Sequence, residues 1–223
     1  MEHSVADMLS GMPNAPGIRN LKKKIKEKTD SVRDGNVDWI FPTPLYSSLV
    51  DNYDAIQSEL YEALNKTQFE INPHWGHTHY LSDITFQENF LVKRKCHFLL
   101  KELDFHIKEF GKSTMPPEKF EMLDYRLTTS WAALFKTGNY AHIHHHGRDD
   151  VSGVYYYQTS GDDGSLFFEG SSGQAEERAE FKPKQGSVVI FPSWLRHGVY
   201  TNLKKEDRVS ISFNIQFGVN CVK

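Results

Sequence analysis

Four of the chain's eleven histidines fall within the stretch "NYAHIHHHGRDD" (Asn139–Asp150), at His142, His144, His145 and His146. Neutral imidazole is the commonest metal ligand near pH 7, so the spacing invites a metal site. On a strand, successive side chains point to opposite faces, and residues two apart share one. The cluster therefore offers two chelating pairs, His142/His144 and His144/His146, with His145 directed away. A further ligand has to come from elsewhere. The stretch "FPSWLRHGVY" supplies His197 at the start of a β-type run, after Pro192 and a tight turn. Eleven residues later Arg208 opens "RVSISFNIQF", where Val209, Ile211, Phe213, Ile215 and Phe217 alternate with Arg208, Ser210, Ser212, Asn214 and Gln216. One face of that strand suits helix packing, and the other is polar throughout. A polar face turned inward implies a hydrated cavity or a bound polar ligand, because unpaired buried polar groups are costly.

These residues need a scaffold. After Pro117 eight short β-type runs follow one another, from "FEMLDYRLTTSWAALFK" to "DRVSISFNIQF". They are punctuated by Gly138, by Gly161 and Gly164, by Gly170 and Gly173, and by Gly186. Eight strands with no intervening helix predict an antiparallel sandwich or jelly roll. Before them, "YDAIQSELYEALNKTQ" reads as a helix with Ile56, Leu60 and Leu64 on one face. "ENFLVKRKCHFLLKELDFHIKEFG" reads as one long helix, with Val92, Cys96, Leu99, Leu103, Ile107 and Phe110 at three-to-four spacing and Gly111 as its stop. On it, His97 and His106 read as structural or exposed. The fold class is thus mostly β with N-terminal helices packed on one sheet of a jelly roll. A polar extension spans residues 1–37 and carries the basic run "NLKKKIKEKTD", read as a solvated tail. A single domain spans 38–223, helical over 50–115 and jelly roll over 118–217.

Bulk properties narrow the function classes. The 223 residues are 39% hydrophobic and 13% aromatic, enough for one buried core. A net charge of -3 gives no global electrostatic case for nucleic acid. Two cysteines, Cys96 and Cys221, argue against a disulfide framework or a cysteine-rich zinc site. No apolar run approaches membrane-spanning length or resembles a signal peptide, so a cytoplasmic protein is expected, and a homo-oligomer is compatible with the composition.

Residues 39–217 resemble the 2-oxoglutarate/Fe(II)-dependent oxygenases of the short phage and bacterial type. The resemblance rests on "IFPTPLY", Trp131, "TGNYAHIHHHGRDDVSGVYYY", "GSLFFE", "GSVVIFPSWLRHGV" and "RVSISFNIQF", in that order. It implies a double-stranded β-helix holding one Fe(II), with 2-oxoglutarate as co-substrate and O2 oxidising a C–H bond of an unidentified substrate. Arg208 and Ser210, on one strand face, would then hold the far carboxylate of 2-oxoglutarate, since a planar guanidinium matches a carboxylate bidentately. The family register, fixed by Gly138 and by Ser152-Gly153, selects His144 and His146 and leaves His142 behind them.

The family pattern usually places a carboxylate where this chain has His146. Three arrangements stay open: iron held by His144, His146 and His197; Asp149 or Asp150 supplying a carboxylate; or His144 and His197 with water, while His146 faces substrate. Among the tyrosines of "SGVYYYQ", Tyr155 is a candidate donor to 2-oxoglutarate. The second group, "HWGHTHY" (His74, His77, His79), reads as structural or as part of a substrate entrance. Two competing functions are a cupin-like three-histidine enzyme without 2-oxoglutarate and a non-catalytic jelly-roll binding protein. The Arg208/Ser210 pair argues against the first, and the paired histidines with distal His197 against the second.

Overall fold

The computed structural model describes residues 43–71, 73, 78–170 and 178–219, all within one compact unit, Thr43–Lys223. The basic run, His74, His77 and Cys221 lie outside the described residues. All eight anticipated strands form: β4 (Leu123–Phe135), β5 (Ala141–His144), β6 (Val151–Gln158), β7 (Leu166–Glu169), β8 (Arg178–Phe181), β9 (Ser187–Pro192), β10 (His197–Val199) and β11 (Arg208–Val219). Three short strands precede them: β1 (Tyr46–Leu49), β2 (Glu70–Ile71) and β3 (Tyr80–Leu81). A seven-stranded sheet runs in the order β1-β9-β6-β11-β4-β3-β2, facing a four-stranded sheet in the order β5-β10-β7-β8. Every pairing between these strands is antiparallel, the pattern of a jelly roll.

The period-two reading of β11 describes its two sides correctly. Ile211, Phe213 and Ile215 are fully buried among the helical residues Ile56, Leu60, Leu99, Leu103 and Ile107. Arg208, Ser210 and Asn214 are also buried, but on the side facing the smaller sheet. Between the sheets, Tyr156, Phe168, Val189 and Phe191 form one apolar cluster and Leu81, Trp131, Ala133 and Phe135 another. The all-buried β9 is thus covered by helices on one side and by the second sheet on the other.

Helix α1 (Tyr53–Asn65) matches its sequence pattern. The long helix does not form in one piece. It divides into α2 (Phe90–Lys93) and α3 (His97–Thr114), with Lys95 at a φ of 57° between them. The break turns Val92 out to solvent, while Cys96, Leu99, Leu103, Ile107 and Phe110 keep the buried stripe. Gly111 does not stop α3, which continues to Thr114. Its role is spatial: a Cβ there would lie 2.5 Å from the Phe120 ring of α4 (Pro117–Glu121).

Gly153 of β6 is constrained in the same way. A Cβ at this position would meet the Phe213 ring at 2.2 Å, and Phe213 is wholly buried. Gly153→Ala overpacks the interface between sheet and helices. We expect a Tm lower by roughly 3–10 °C in a thermal melt, with a Gly153→Ala/Phe213→Leu double variant recovering part of the loss.

Candidate metal centre

Strand β10 brings His197 opposite His144 of β5, and the two rings lie 4.4 Å apart. The same two strands pair Val199 with Ala141, so β5 takes three steps where β10 takes two. This bulge breaks the simple alternation. His142 therefore does not share the face of His144: its imidazole is exposed beside Tyr140, and its backbone carbonyl accepts from His144 Nδ1 at 2.7 Å. His146 follows the strand, in a loop tied down by its own N–H to the Ser193 carbonyl (2.8 Å) and by the Ser193 N–H to the Asp150 carbonyl (3.0 Å). Its ring stands 5.1 Å from His144 and 5.2 Å from His197. One ring nitrogen from each of His144, His146 and His197 falls within 4.8 Å of the others. His145 is exposed, as its position in the alternation predicted.

His197 Nδ1 lies 2.8 Å from the Leu195 carbonyl, matching the bond that His144 makes to His142. A carbonyl only accepts, so both rings carry their proton on Nδ1 and have an unprotonated Nε2. Burial, above all, pushes the imidazoles of His144 and His146 down to about 3 and that of His197 to about 4, from an ordinary value near 6.5. All three are neutral at pH 7, the state a metal requires.

No carboxylate joins the cluster among the described residues. Asp149 accepts from Thr128 Oγ1 at 2.7 Å, and Asp150 accepts from the Phe217 N–H at 2.8 Å. Both acids hold the loop after β5 to the larger sheet.

The three imidazoles share one cavity with Arg208, Ser210 and Asn214. Arg208 is 2% exposed, and its charge has no carboxylate partner within salt-bridge distance among the described residues. Nη1 donates to the Gly164 carbonyl at 2.6 Å, the guanidinium lies 4.2 Å from the centre of the Phe135 ring, and Nε has no hydrogen-bond partner. Nearby Asp163 is engaged by Thr159 and the Ser160 N–H. An unpaired buried guanidinium is expensive unless an anion arrives. A dianionic oxo-acid reaching from three neutral imidazoles to this cation fits the donor set.

Tyr155 does not reach this cavity. Its side chain lies on the helical side of the sheet, within hydrogen-bond distance of Gln57 (3.3 Å). Ser210 pairs with Tyr156, so Tyr156 rather than Tyr155 lines the cavity. Pairing to the polar face of β11 distinguishes the two tyrosines. His79, from the second histidine group, also lines the cavity, buried and stacked on Phe135 at 4.7 Å.

The fold is a jelly roll, and its cavity gathers three imidazoles that could hold a metal ion and one buried guanidinium. Residues 129–214 match the family model described as "Putative 2OG-Fe(II) oxygenase". That stretch, from the middle of β4 into β11, spans the three imidazoles and Arg208 and is similar to a 2OG-Fe(II) oxygenase domain. Among solved structures, an oxidoreductase of the 2OG-Fe(II) oxygenase family from Burkholderia pseudomallei is similar at 16% identity (TM-score 0.55), over 76% of this chain and 84% of that one. HygX from Streptomyces hygroscopicus, with nickel and 2-oxoglutarate bound, is similar at 13% identity (TM-score 0.57), over 80% and 84%. A prolyl hydroxylase from Trichoplax adhaerens, in complex with a hypoxia-inducible-factor peptide, is similar at 16% identity (TM-score 0.51), over 77% and 83%. No curated protein matches the sequence.

The cavity histidines should make the metal-free protein acid-sensitive. His79, held at about 4 chiefly by burial, adds to the three of the cluster. Each is neutral when folded and takes up a proton near pH 6.5 when unfolded. Their stability is therefore complete above about pH 6.5 and is lost as pH falls toward 4, by up to about 1.4 kcal/mol per group for each tenfold rise in proton concentration. Thermal melts in a chelator should show Tm falling steeply from pH 6.5 to 4.5. Bound metal should move that fall to lower pH.

Proposed function

We propose that His144, His146 and His197 hold the Fe(II), and that Arg208 with Ser210 receives the far carboxylate of 2-oxoglutarate. The single observation carrying this reading is the buried Arg208, with no carboxylate at salt-bridge distance among the described residues, in one cavity with three neutral imidazoles. When bound, Fe(II), 2-oxoglutarate and O2 supply oxidation of a C–H bond, coupled to release of succinate and CO2. The protein's part is to present three lone pairs, fix the co-substrate's far end with a cation, and exclude water with Trp131, Tyr156 and Phe191. A cupin-like enzyme without an oxo-acid leaves Arg208 without purpose, so the 2-oxoglutarate reading is preferred.

The oxygenase domain begins near residue 38 in this reading, after the polar extension. The net charge of -3 speaks against a nucleic-acid substrate, and two cysteines in 223 residues suit a reducing, cytoplasmic setting. No helix among the described residues is long and apolar enough to cross a membrane. Homo-oligomerisation is compatible with this picture and is read by light scattering.

The direct test is a thermal melt with Mn(II), which supports binding without turnover. At about 100 times its Kd, 2-oxoglutarate should stabilise the Mn(II)-loaded protein by roughly 2.7 kcal/mol, or about 5–10 °C in Tm. It should add nothing in chelator. A metal-independent shift, or none at all, would refute the assignment.

A further inference from the structure

His146 differs from its two neighbours in what holds its second nitrogen. His144 and His197 each give Nδ1–H to a backbone carbonyl, whereas His146 Nδ1 lies 3.4 Å from the side-chain amide of Asn214. As oriented, Asn214 Nδ2 faces His146 Nδ1 and also donates to Thr129 Oγ1 at 3.1 Å, while Oδ1 accepts from Ser152 Oγ at 2.8 Å. Ser152 Oγ in turn lies 2.8 Å from Ser193 Oγ. In this orientation the amide donates to Nδ1. The neutral ring then carries its proton on Nε2, where no metal can bind.

The amide has the same shape when turned by 180°. Its other side-chain partners are hydroxyls, which donate or accept equally well. After the turn, Nδ2 donates to Ser152, Ser152 donates to Ser193, and Thr129 donates to Oδ1. Oδ1 then also accepts from His146 Nδ1–H, and Nε2 is bare. No heavy-atom contact is lost in either direction. Ser152, Ser193 and Asn214 are all at least 95% buried, so water does not substitute for a missing partner. Ser193 also accepts the His146 N–H through its carbonyl, so one residue anchors both ends of the chain of bonds.

We propose that Asn214 sets the tautomer of His146, and thereby decides whether this imidazole is a third metal ligand or a hydrogen-bond donor beside a two-histidine metal. Asn214 is a positioning residue. The inference rests on the reading of His144, His146 and His197 as the metal site and deepens it. In the metal-loaded protein the amide oxygen faces His146.

The test is Co(II) affinity of Asn214→Leu and Asn214→Asp, each made in the unaltered and in the His146→Ala background. Asn214→Leu removes the acceptor at similar size and should weaken Co(II) binding by roughly 10–100-fold, the usual loss when a ligand's supporting partner goes. In the His146→Ala background it should change affinity by less than about twofold. Asn214→Asp is a permanent acceptor and should hold or raise the affinity. Equal losses in both backgrounds would make Asn214 merely structural, and a loss in Asn214→Asp as large as in Asn214→Leu would also overturn the proposal. Absence of Co(II) binding by the unaltered protein is a separate result, which sinks the metal reading itself. An independent measurement avoids variants altogether: long-range 1H–15N spectra of the Zn(II)-loaded protein should place the His146 proton on Nδ1, and a proton on Nε2 would refute the tautomer assignment.

Discussion

His144→Ala and His197→Ala should each abolish stoichiometric Co(II) or Fe(II) binding, whereas His142→Ala and His145→Ala should leave it intact. The two groups of substitutions lie within a few residues of one another, so the contrast is a strong test. His197 and His144 face each other across β10 and β5, with their Nε2 atoms left unprotonated by the bonds from Nδ1–H to carbonyls. Losing either removes a ligand outright, which should exceed the roughly 10–100-fold cost of losing a ligand's supporting partner. His142 supports His144 through its backbone carbonyl, and alanine keeps that carbonyl. His145 is exposed and reaches no metal. Because His197 is buried against Phe191, its alanine variant also opens a cavity, so apo-protein Tm and the bulkier His197→Gln should be measured alongside. Full metal affinity in His197→Gln and His197→Ala would overturn the assignment. His146→Asp, which puts a carboxylate in the third position, should still bind metal.

Much of this arrangement was legible in the chain because two periodicities are strong. The alternation in "RVSISFNIQF" separates a helix-packed side from a cavity side, and the structure keeps that division from Arg208 to Ile215. Gly- and Pro-rich punctuation similarly marked all eight strands of the jelly roll. What failed had local causes that periodicity does not register. The bulge in β5 removes His142 from the face of His144, so the i, i+2 rule fails for that pair while His144 and His146 still converge. Lys95 adopts a left-handed conformation and divides a pattern that reads as one continuous helix. Tyr155 and Tyr156 are chemically equivalent neighbours, and only the pairing of Ser210 with Tyr156 tells which one faces the cavity. Asn214 was visible as a polar residue on the correct face, but its bond to His146 joins positions 68 residues apart, which no local pattern encodes.

Arg208→Met should separate binding from stability in an unusual direction. Most buried arginines are paired, and removing one strands its partner's charge. Here no carboxylate is stranded, because none lies within salt-bridge distance among the described residues. Methionine replaces the aliphatic stem, restores packing against Phe135, and lifts the cost of keeping a cation out of water. Against this stands the Gly164 carbonyl, which loses its 2.6 Å donor at a cost of about 1–3 kcal/mol. The two effects oppose each other, so the metal-free variant should melt within a few degrees of the unaltered protein. Its metal affinity should also persist, since Arg208 is no ligand. Binding of 2-oxoglutarate to the Mn(II)-loaded variant should nevertheless fall by 2–5 kcal/mol, roughly 30- to 4,000-fold, the cost of truncating one partner of a buried charge pair. Ser210→Ala removes one neutral donor and should cost only about 0.5–1.5 kcal/mol in the same titration. A large drop in apo stability with unchanged 2-oxoglutarate affinity would show that Arg208 serves the fold alone. Intact stability with lost co-substrate binding would show that the cation is kept unpaired in the core because its partner is the co-substrate.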